Sequence, residues 1–317
     1  MFDINVAAMK IGVAIPILNN SFRYWDDPGT WLVPSSWTKN AGIVTLREWT
    51  HAYDADDAAV YLVGSSVPDD NSVNLTSSTE RMWPENHQGF PSGITCYYSW
   101  AVFINALSGA GANARVRLQI GVDSAQDFSG SPQWTTLDDV LATDTEIRLR
   151  TGTAVLSVTA ADRWARCLLI LRDATSIQAK IDCPAVMFNP FAPLVGYYAF
   201  TGWADNGPPA TFQRYHQMDD TRQGVTRTHD PSGGAEKLVL PLSFRDESAE
   251  FYENMHGFFN LNKGRPGLTG VPLLLEPNLP GYPPTMMCNI VENEFPLKRQ
   301  AGASPWYGGT VTFKSVY

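Results

Sequence analysis

Between Ile11 and Phe188 the apolar segments of this chain are short, and apolar side chains alternate along them with polar ones. Val116–Ile120 and Val155–Val158 are examples, and loops dense in Gly, Ser, Asp and Pro separate such segments. A period of two places the apolar side chains on one face of a β-strand. The spacing of these segments therefore predicts an antiparallel β-sandwich.

The chain has 317 residues, which is more than one hydrophobic core usually serves. The segment Asn189–Pro193 contains two prolines, which interrupt strand pairing and suit a short, stiff linker. We therefore predict two domains, a front part at 1–193 and a rear part at 194–317.

The rear part combines strand segments with the one strong helical pattern of the chain. Aromatic and apolar side chains recur there at spacings of three and four, with acidic residues ahead of them, which favours a helix over about 244–260. Ser243 is the predicted N-cap and Gly264 the predicted terminator. The sequence thus predicts a small α+β domain in which the apolar stripe of the helix lies on a sheet. The apolar stripe consists of Phe251, Tyr252, Met255, Phe258 and Phe259.

The net charge of −9 argues against partners with phosphate backbones or anionic lipid surfaces. Of the 32 acidic residues, 20 lie before residue 194, together with 13 of the 23 basic ones. We therefore expect neither nucleic-acid binding nor membrane insertion. The four cysteines lack metal-ligand spacing and are expected to be buried thiols.

The beginning of the sequence has no basic segment, and Lys10 and Pro16 interrupt its first apolar stretch. This pattern is typical neither of a signal peptide nor of a membrane-spanning helix. We expect a protein that is made in the cytoplasm and stays there, or that reaches the outside by lysis.

No phosphate-binding loop, zinc-protease helix or serine-nucleophile turn occurs in the sequence, so the chain is not expected to be an enzyme. Asp54, Asp56 and Asp57 form an acidic cluster. A solvated loop is the preferred interpretation, followed by a Ca²⁺ site and then by acid–base catalysis of glycoside hydrolysis. No other cofactor is expected.

Eight of the ten tryptophans lie in the front part. Indole faces can stack on sugar rings, whereas core packing is the alternative for each of them. Trp25, Trp31 and Trp83 are flanked by turn-forming and charged residues, which makes them the candidate glycan-binding platforms. Trp100 and Trp164 lie in strand segments and are expected in the core.

The segments Ile17–Trp25 and Gly29–Trp37 resemble the opening of carbohydrate-binding-module and galactose-binding-like jelly rolls. The resemblance covers about 12–190 and implies a jelly roll with an inward tryptophan. This chain has Arg23 where the family has an acidic residue, and no sugar-binding residue is carried over. The later jelly-roll strands are matched by Tyr97–Asn105, Val116–Val122, Arg163–Ile170 and Ile181–Phe188.

The rear part resembles the small sandwich or split-barrel domains of phage tail proteins, such as distal-tail and tube subunits. In that family these domains form rings, commonly hexameric, so the resemblance implies self-assembly. The matching segments are Leu238–Phe244, His256–Phe259, Gly264–Gly267, Leu273–Pro277 and Gly309–Tyr317. The candidate assembly residues are Phe251, Met255, Phe258, Phe313 and Tyr317.

These observations predict a structural virion component of a bacteriophage tail or baseplate. Its expected partners are other tail proteins, further copies of the chain in a hexamer or trimer, and a host-surface glycan or partner protein that the jelly roll binds. The alternative is a polysaccharide-acting glycoside hydrolase or its accessory binding module. In a third interpretation the jelly roll has no ligand and braces the particle.

Overall fold

A computed structural model gives the fold of this chain. It describes residues 4–5, 9–20, 22, 24–26, 30, 32–40, 42–48, 59–82, 93–106, 114–141, 147–159, 161–189, 196–200, 203–204, 211–214, 217–220, 226–229, 236–264, 270–277, 284–300 and 306–316.

The described elements are strands apart from a single helix, so the predicted mainly-β class is confirmed. In chain order they are β1 (Ile4–Asn5), β2 (Lys10–Ile15), β3 (Trp37–Lys39), β4 (Ile43–Glu48), β5 (Ala59–Val67), β6 (Asn74–Ser77), β7 (Glu80–Arg81), β8 (Ile94–Ala106), β9 (Arg115–Asp123), β10 (Gln133–Val140), β11 (Arg148–Leu156), β12 (Trp164–Arg172), β13 (Ala174–Phe188), β14 (Tyr198–Ala199), β15 (Trp203–Ala204), β16 (Thr211–Arg214), β17 (Gln217–Asp220), β18 (Thr226–His229), β19 (Glu236–Glu247), α1 (Ala249–Lys263), β20 (Leu273–Glu276), β21 (Met286–Ile290), β22 (Lys298–Arg299) and β23 (Tyr307–Ser315).

Two antiparallel sheets form the sandwich of the front part. The six-stranded sheet has the order β10-β9-β12-β6-β3, with β7 also paired to β12. The facing sheet contains β11, β8, β13 and β2 in that order, and β5 pairs with β13 and carries β4 at its side. Buried side chains of both sheets belong to one apolar cluster, which includes Leu169 of β12 and Trp100 of β8. The predicted curled antiparallel sandwich is thus present.

The facing sheet does not end at the predicted domain boundary. Strand β2 pairs on one side with β13 of the front part and on the other with β20 of the rear part. Beyond β20 the sheet continues through β21, β23, β19 and β16. The linker residues 190–195 lie outside the described residues, so the division into two domains stays a prediction. The structure shows in addition that strand β2 pairs with strands of both parts.

The helix lies where the spacing predicts it, but it begins five residues later and ends three residues later, at Ala249 and Lys263 instead of 244 and 260. Ser243 and Phe244 remain in β19, because they pair with Thr310 and Gly309 of β23. The N-cap is Ser248, whose hydroxyl accepts a hydrogen bond from the Phe251 backbone nitrogen at 3.1 Å. Strand pairing therefore overrides the local helical pattern until the residue that caps the helix.

Gly264 caps the C-terminal end of α1, as predicted, with a positive φ of 74°. Phe251, Met255 and Phe258 are buried beneath the helix, and Phe313 is buried in the adjacent strand β23. These four predicted assembly residues lie inside the folded chain, where they hold α1 against the sheet. They offer no surface to a second copy, and Tyr317 lies outside the described residues.

All four cysteines are buried and free of disulfides, as predicted. Among the described residues, no helix combines the length and the apolar character that crossing a bilayer requires.

Candidate functional site: the outer face of the six-stranded sheet

Strand alternation divides the residues of the six-stranded sheet between the core and an outer face. On β12 the core side carries Ala165, Cys167, Leu169 and Leu171, all buried in the apolar cluster. The alternate positions form the outer face, which is unusually rich in arginine and aromatic side chains for one side of a sandwich. The register places there Arg81, Arg115, Arg117, Gln119, Gly121, Asp123, Trp134, Thr136, Asp139, Trp164, Arg166 and Arg172.

One end of the outer face is covered. The loop between β5 and β6 lies over it, since Asp69 forms an ion pair with Arg172 at 2.7 Å and Asn71 donates a hydrogen bond to Gln119 at 3.4 Å. Ile170, which lies in this region, has no exposed surface. A ligand of the outer face therefore has to bind at the opposite end, near Trp134.

At this open end, Trp134 of β10 is 37% exposed. It lies opposite Gly121 of β9, and a Cβ atom added to Gly121 would come within 2.4 Å of the indole ring. The ring therefore covers the glycine and packs directly on the sheet backbone, with its remaining surface in solvent. Glycine is required at position 121 because a larger side chain would displace the indole.

A loop after β9 supplies a second aromatic ring beside the indole. Phe128 lies with its ring centroid 5.7 Å from that of Trp134 and adopts a positive φ of 61°, which is strained for a phenylalanine. The carboxylate of Asp123 holds the loop by accepting hydrogen bonds from the backbone nitrogens of Ala125 and Gly130, at 3.2 and 3.1 Å. Burial raises the pKa of Asp123, but these donors outweigh it and keep the pKa below its ordinary value. The loop is thus a fixed support for Phe128.

Arginine side chains complete the open end. The guanidinium carbon of Arg166 lies 4.0 Å from the Phe128 ring centroid and 5.6 Å from that of Trp134. The guanidinium carbon of Arg81 likewise lies 5.2 Å from the ring centroid of Trp164. Trp164 is only half-buried. Cation–π contacts of this kind orient the flat guanidinium groups and rings against one another. The open end therefore presents a rigid surface of indole and guanidinium planes.

Of the three candidate tryptophans singled out from the sequence, the structure describes Trp25, which is buried. Trp25 is only 6% exposed, and its indole nitrogen donates to the Phe22 carbonyl oxygen at 2.6 Å, so it is a core residue instead of a platform. Its turn-rich surroundings suggested exposure, but the chain folds back and forms a β-bridge between Trp25 and Pro34. Trp31 and Trp83 lie outside the described residues.

Trp100 is fully buried, as predicted, and its indole nitrogen donates to Asp138 at 2.9 Å. The predicted acidic cluster of Asp54, Asp56 and Asp57 lies outside the described residues. Within the described ranges, no group of three or more His, Cys, Asp or Glu side chains is arranged to hold a metal ion.

Sequence reasoning missed Trp134 because β10 contains a register irregularity between Thr136 and Asp138. The irregularity breaks the period of two, so the sequence of β10 lacks the regular alternation that predicts a half-buried strand. The available signal lay in the neighbouring strand β9, where Arg115, Arg117 and Gln119 occupy every second position. Polar residues at alternate positions of a strand indicate that this side of the strand faces solvent.

No protein-family model and no curated protein matches this sequence. Among solved structures, the chain is similar to the CBM22-1 and GH10 modules of Clostridium thermocellum xylanase 10B, with 12% identity, a TM-score of 0.33, and coverage of 50% of this chain and 27% of that one. It is also similar to the CBM22-1 xylan-binding domain of Paenibacillus barcinonensis Xyn10C, with 14% identity, a TM-score of 0.34, and coverage of 56% and 94%.

A tailspike protein of bacteriophage CBA120 is a further structural neighbour, with 12% identity, a TM-score of 0.29, and coverage of 50% of this chain and 20% of that one. Several of the neighbours are carbohydrate-binding modules of family 22. Similarity at this level leaves the ligand of this chain to be inferred from its own surface.

Proposed function

We propose that this chain is a non-catalytic glycan-binding protein and that the open end of the outer face is its binding site. The observation that carries the proposal is the exposed indole of Trp134, which packs on the backbone at Gly121. An indole that is already fixed loses little conformational freedom when a ligand stacks on it. Its broad apolar surface suits the C–H face of a pyranose ring.

Polar groups close to the indole can bind sugar hydroxyls. Thr136 is exposed and lies two residues from Trp134 on the same face, and its hydroxyl accepts a hydrogen bond from Gln119 at 2.9 Å. An apolar stacking surface with a few fixed polar groups is the usual composition of a small-molecule or oligosaccharide site. This arrangement supports glycan binding over binding of a purely apolar ligand.

The carboxylates of the outer face support binding over hydrolysis. Asp123 accepts hydrogen bonds from backbone nitrogens, and Asp139 forms an ion pair with Arg117 at 2.6 Å. A glycosidase needs one carboxyl group that is free to donate a proton and a second that acts as nucleophile or base. The hydrolase alternative can be tested at Asp54, Asp56 and Asp57, since turnover of a polysaccharide that the Asp→Asn variants abolish would establish it.

We expect the substitution Trp134→Ala to weaken glycan binding by roughly tenfold or more, because tryptophan side chains at binding sites commonly contribute about 2 kcal/mol. Isothermal titration calorimetry with a panel of polysaccharides would measure this effect. Xylan is the first to test, since one structural neighbour is a xylan-binding domain. The substitution Gly121→Ala retains the tryptophan in the sequence but should weaken binding similarly, because the added Cβ displaces the indole ring.

The matched control is Val155→Ala, which removes apolar surface from a position of β11 that is 61% exposed. Its affinity for glycan should equal that of the wild type. Unchanged binding by folded Trp134→Ala and Gly121→Ala proteins would rule out the open end as the glycan site.

A structural role in a bacteriophage tail is the proposed setting of this binding function, and it rests on the resemblance of the rear part. Since four of the predicted assembly residues are internal and Tyr317 lies outside the described residues, we propose the exposed apolar side chains Val291 and Trp306 as the surface through which the rear part contacts another copy. We expect hexamers or trimers in sedimentation velocity runs and a shift to monomers in the Val291→Glu, Trp306→Ala double variant. A monomeric wild type at high protein concentration would contradict ring assembly.

A further inference from the structure

Arg166 occupies the centre of the open end. It lies on β12, directly opposite Gly121, which in turn lies opposite Trp134. Its guanidinium carbon is 4.0 Å from the centroid of Phe128, so that its flat group rests against an aromatic ring. This contact holds the guanidinium in place, 5.6 Å from the centroid of the exposed indole ring.

Among the described residues, Arg166 has no carboxylate partner, whereas three other arginines form ion pairs. Arg117, Arg150 and Arg172 form ion pairs with Asp139, Asp138 and Asp69, at 2.6, 2.6 and 2.7 Å. Within the part of the chain that the structure describes, Arg166 forms no ion pair, and its Nε atom is buried without an acceptor. Burial lowers the pKa of Arg166, since it disfavours the charged form, and Asp123 counteracts this only in part.

The carboxylate of Asp123 forms hydrogen bonds with the loop that carries Phe128. Its Oδ1 atom accepts from the Ala125 nitrogen and its Oδ2 atom from the Gly130 nitrogen, and the residue is 1% exposed. Asp123 therefore holds the loop whose Phe128 ring contacts Arg166, and it does not form an ion pair with Arg166. A guanidinium that is partly removed from water and lacks acceptors gains most from an anion that supplies them.

Like Arg166, most of the other charged residues on the outer face are positive. Its outward positions carry five arginines, at 81, 115, 117, 166 and 172, but only two acids, Asp123 and Asp139. The whole chain, in contrast, has a net charge of −9. The outer face is thus a positive surface on an acidic protein, which attracts anionic ligands locally and repels them elsewhere.

We propose that the open end selects acidic saccharides, with the carboxylate of a uronic acid residue paired to Arg166 and a sugar ring stacked on Trp134. This inference rests on the proposed glycan-binding function and names its ligand class. The planar guanidinium can donate two parallel hydrogen bonds to a carboxylate, which a neutral sugar cannot receive with the same charge. The guanidinium lies 5.6 Å from the indole centroid, so one saccharide unit or two neighbouring units can reach both groups.

The test compares oligogalacturonate with its methyl ester, because the two differ in charge but share the same sugar ring. We expect the wild type to bind the acid at least tenfold more tightly than the ester, and added salt to weaken binding of the acid alone. The variant Arg166→Gln should bind both ligands equally, with an affinity for the ester within about twofold of the wild type. Arg166→Lys should recover only part of the preference, since it keeps the charge but loses the paired donors.

Arg148→Gln is the control for net charge, since it removes one arginine from an exposed position of β11, and it should retain the preference for the acid. The comparison of acid with ester in the wild type needs no variant and so does not depend on how Arg166→Gln folds. Equal binding of acid and ester by the wild type, together with binding that requires Trp134, would overturn this inference and leave the proposed function intact. Failure of every glycan to bind would instead contradict the proposed function itself.

Discussion

Replacing Asn262 with alanine is expected to lower the free energy of unfolding by about 3–5 kcal/mol, which is the largest effect of any single substitution proposed for this chain. Asn262 is 8% exposed and lies in the last turn of α1. Its amide nitrogen donates to the Val271 carbonyl oxygen at 2.9 Å, and its carbonyl oxygen accepts from the Ile290 nitrogen at 2.8 Å. It also donates to the side chain of Asn289 at 2.8 Å.

Alanine at this position would leave two buried backbone groups without partners, and each such group costs about 1–3 kcal/mol. Urea unfolding, followed by the tryptophan fluorescence of the chain, would measure the change. The control is Asn260→Ala in the same helix, whose side chain is half-exposed and should contribute less than about 0.5 kcal/mol. A loss below about 1 kcal/mol for Asn262→Ala would show that the three hydrogen bonds do not secure the end of the helix.

The substitution Glu247→Gln is expected to stabilise the protein above pH 7 and to have little effect near pH 4. Glu247 is 9% exposed at the end of β19, where the chain turns from strand into helix. Burial and then the adjacent Asp246 raise its pKa from an ordinary value of 4.5 to about 7. The folded state therefore binds the proton more tightly than the unfolded state does.

It follows that the stability contributed by protonated Glu247 is fully present below about pH 4.5 and is lost as the pH rises through about 7. Glutamine remains neutral, so the variant avoids this loss, which amounts to at most about 3 kcal/mol. Melting temperatures between pH 4 and 9 would show two curves that coincide near pH 4, separate as the pH rises from about 4.5 to 7, and stay apart above 7. The exposed Glu253→Gln variant should follow the wild type, and an equal stability of Glu247→Gln and wild type at pH 8.5 would refute the assignment.

Strand periodicity predicted the fold class because every second residue along β9 and β12 is apolar and faces the core. The helix was also predictable from its apolar spacing, but its first residue was not. The sequence around Ser243 suits a helix N-cap, whereas the long-range pairing of Ser243 with Thr310 keeps this segment in β19. A partner 67 positions away cannot be identified from local propensity.

The binding surface was harder to predict than the fold. Indole exposure depends on which face of a strand a tryptophan occupies, and in β10 the irregularity after Thr136 obscures that face. The net charge of the chain also conceals the charge of this surface. It averages over the whole chain, whereas strand alternation gathers arginines such as Arg117 and Arg166 on one side of a single sheet.

The position of β2 has a consequence for how this chain folds. Lys10 forms an ion pair with Glu276, which lies 266 positions further along the sequence, and the two residues also pair within the sheet. During synthesis, β2 leaves the ribosome long before β20, so the sheet cannot close until nearly the whole chain has emerged. Contacts of such long sequence separation slow folding and leave strand edges unpaired in the meantime. We expect closure of the sheet at β2 to be a late step that commits both parts to the native state together.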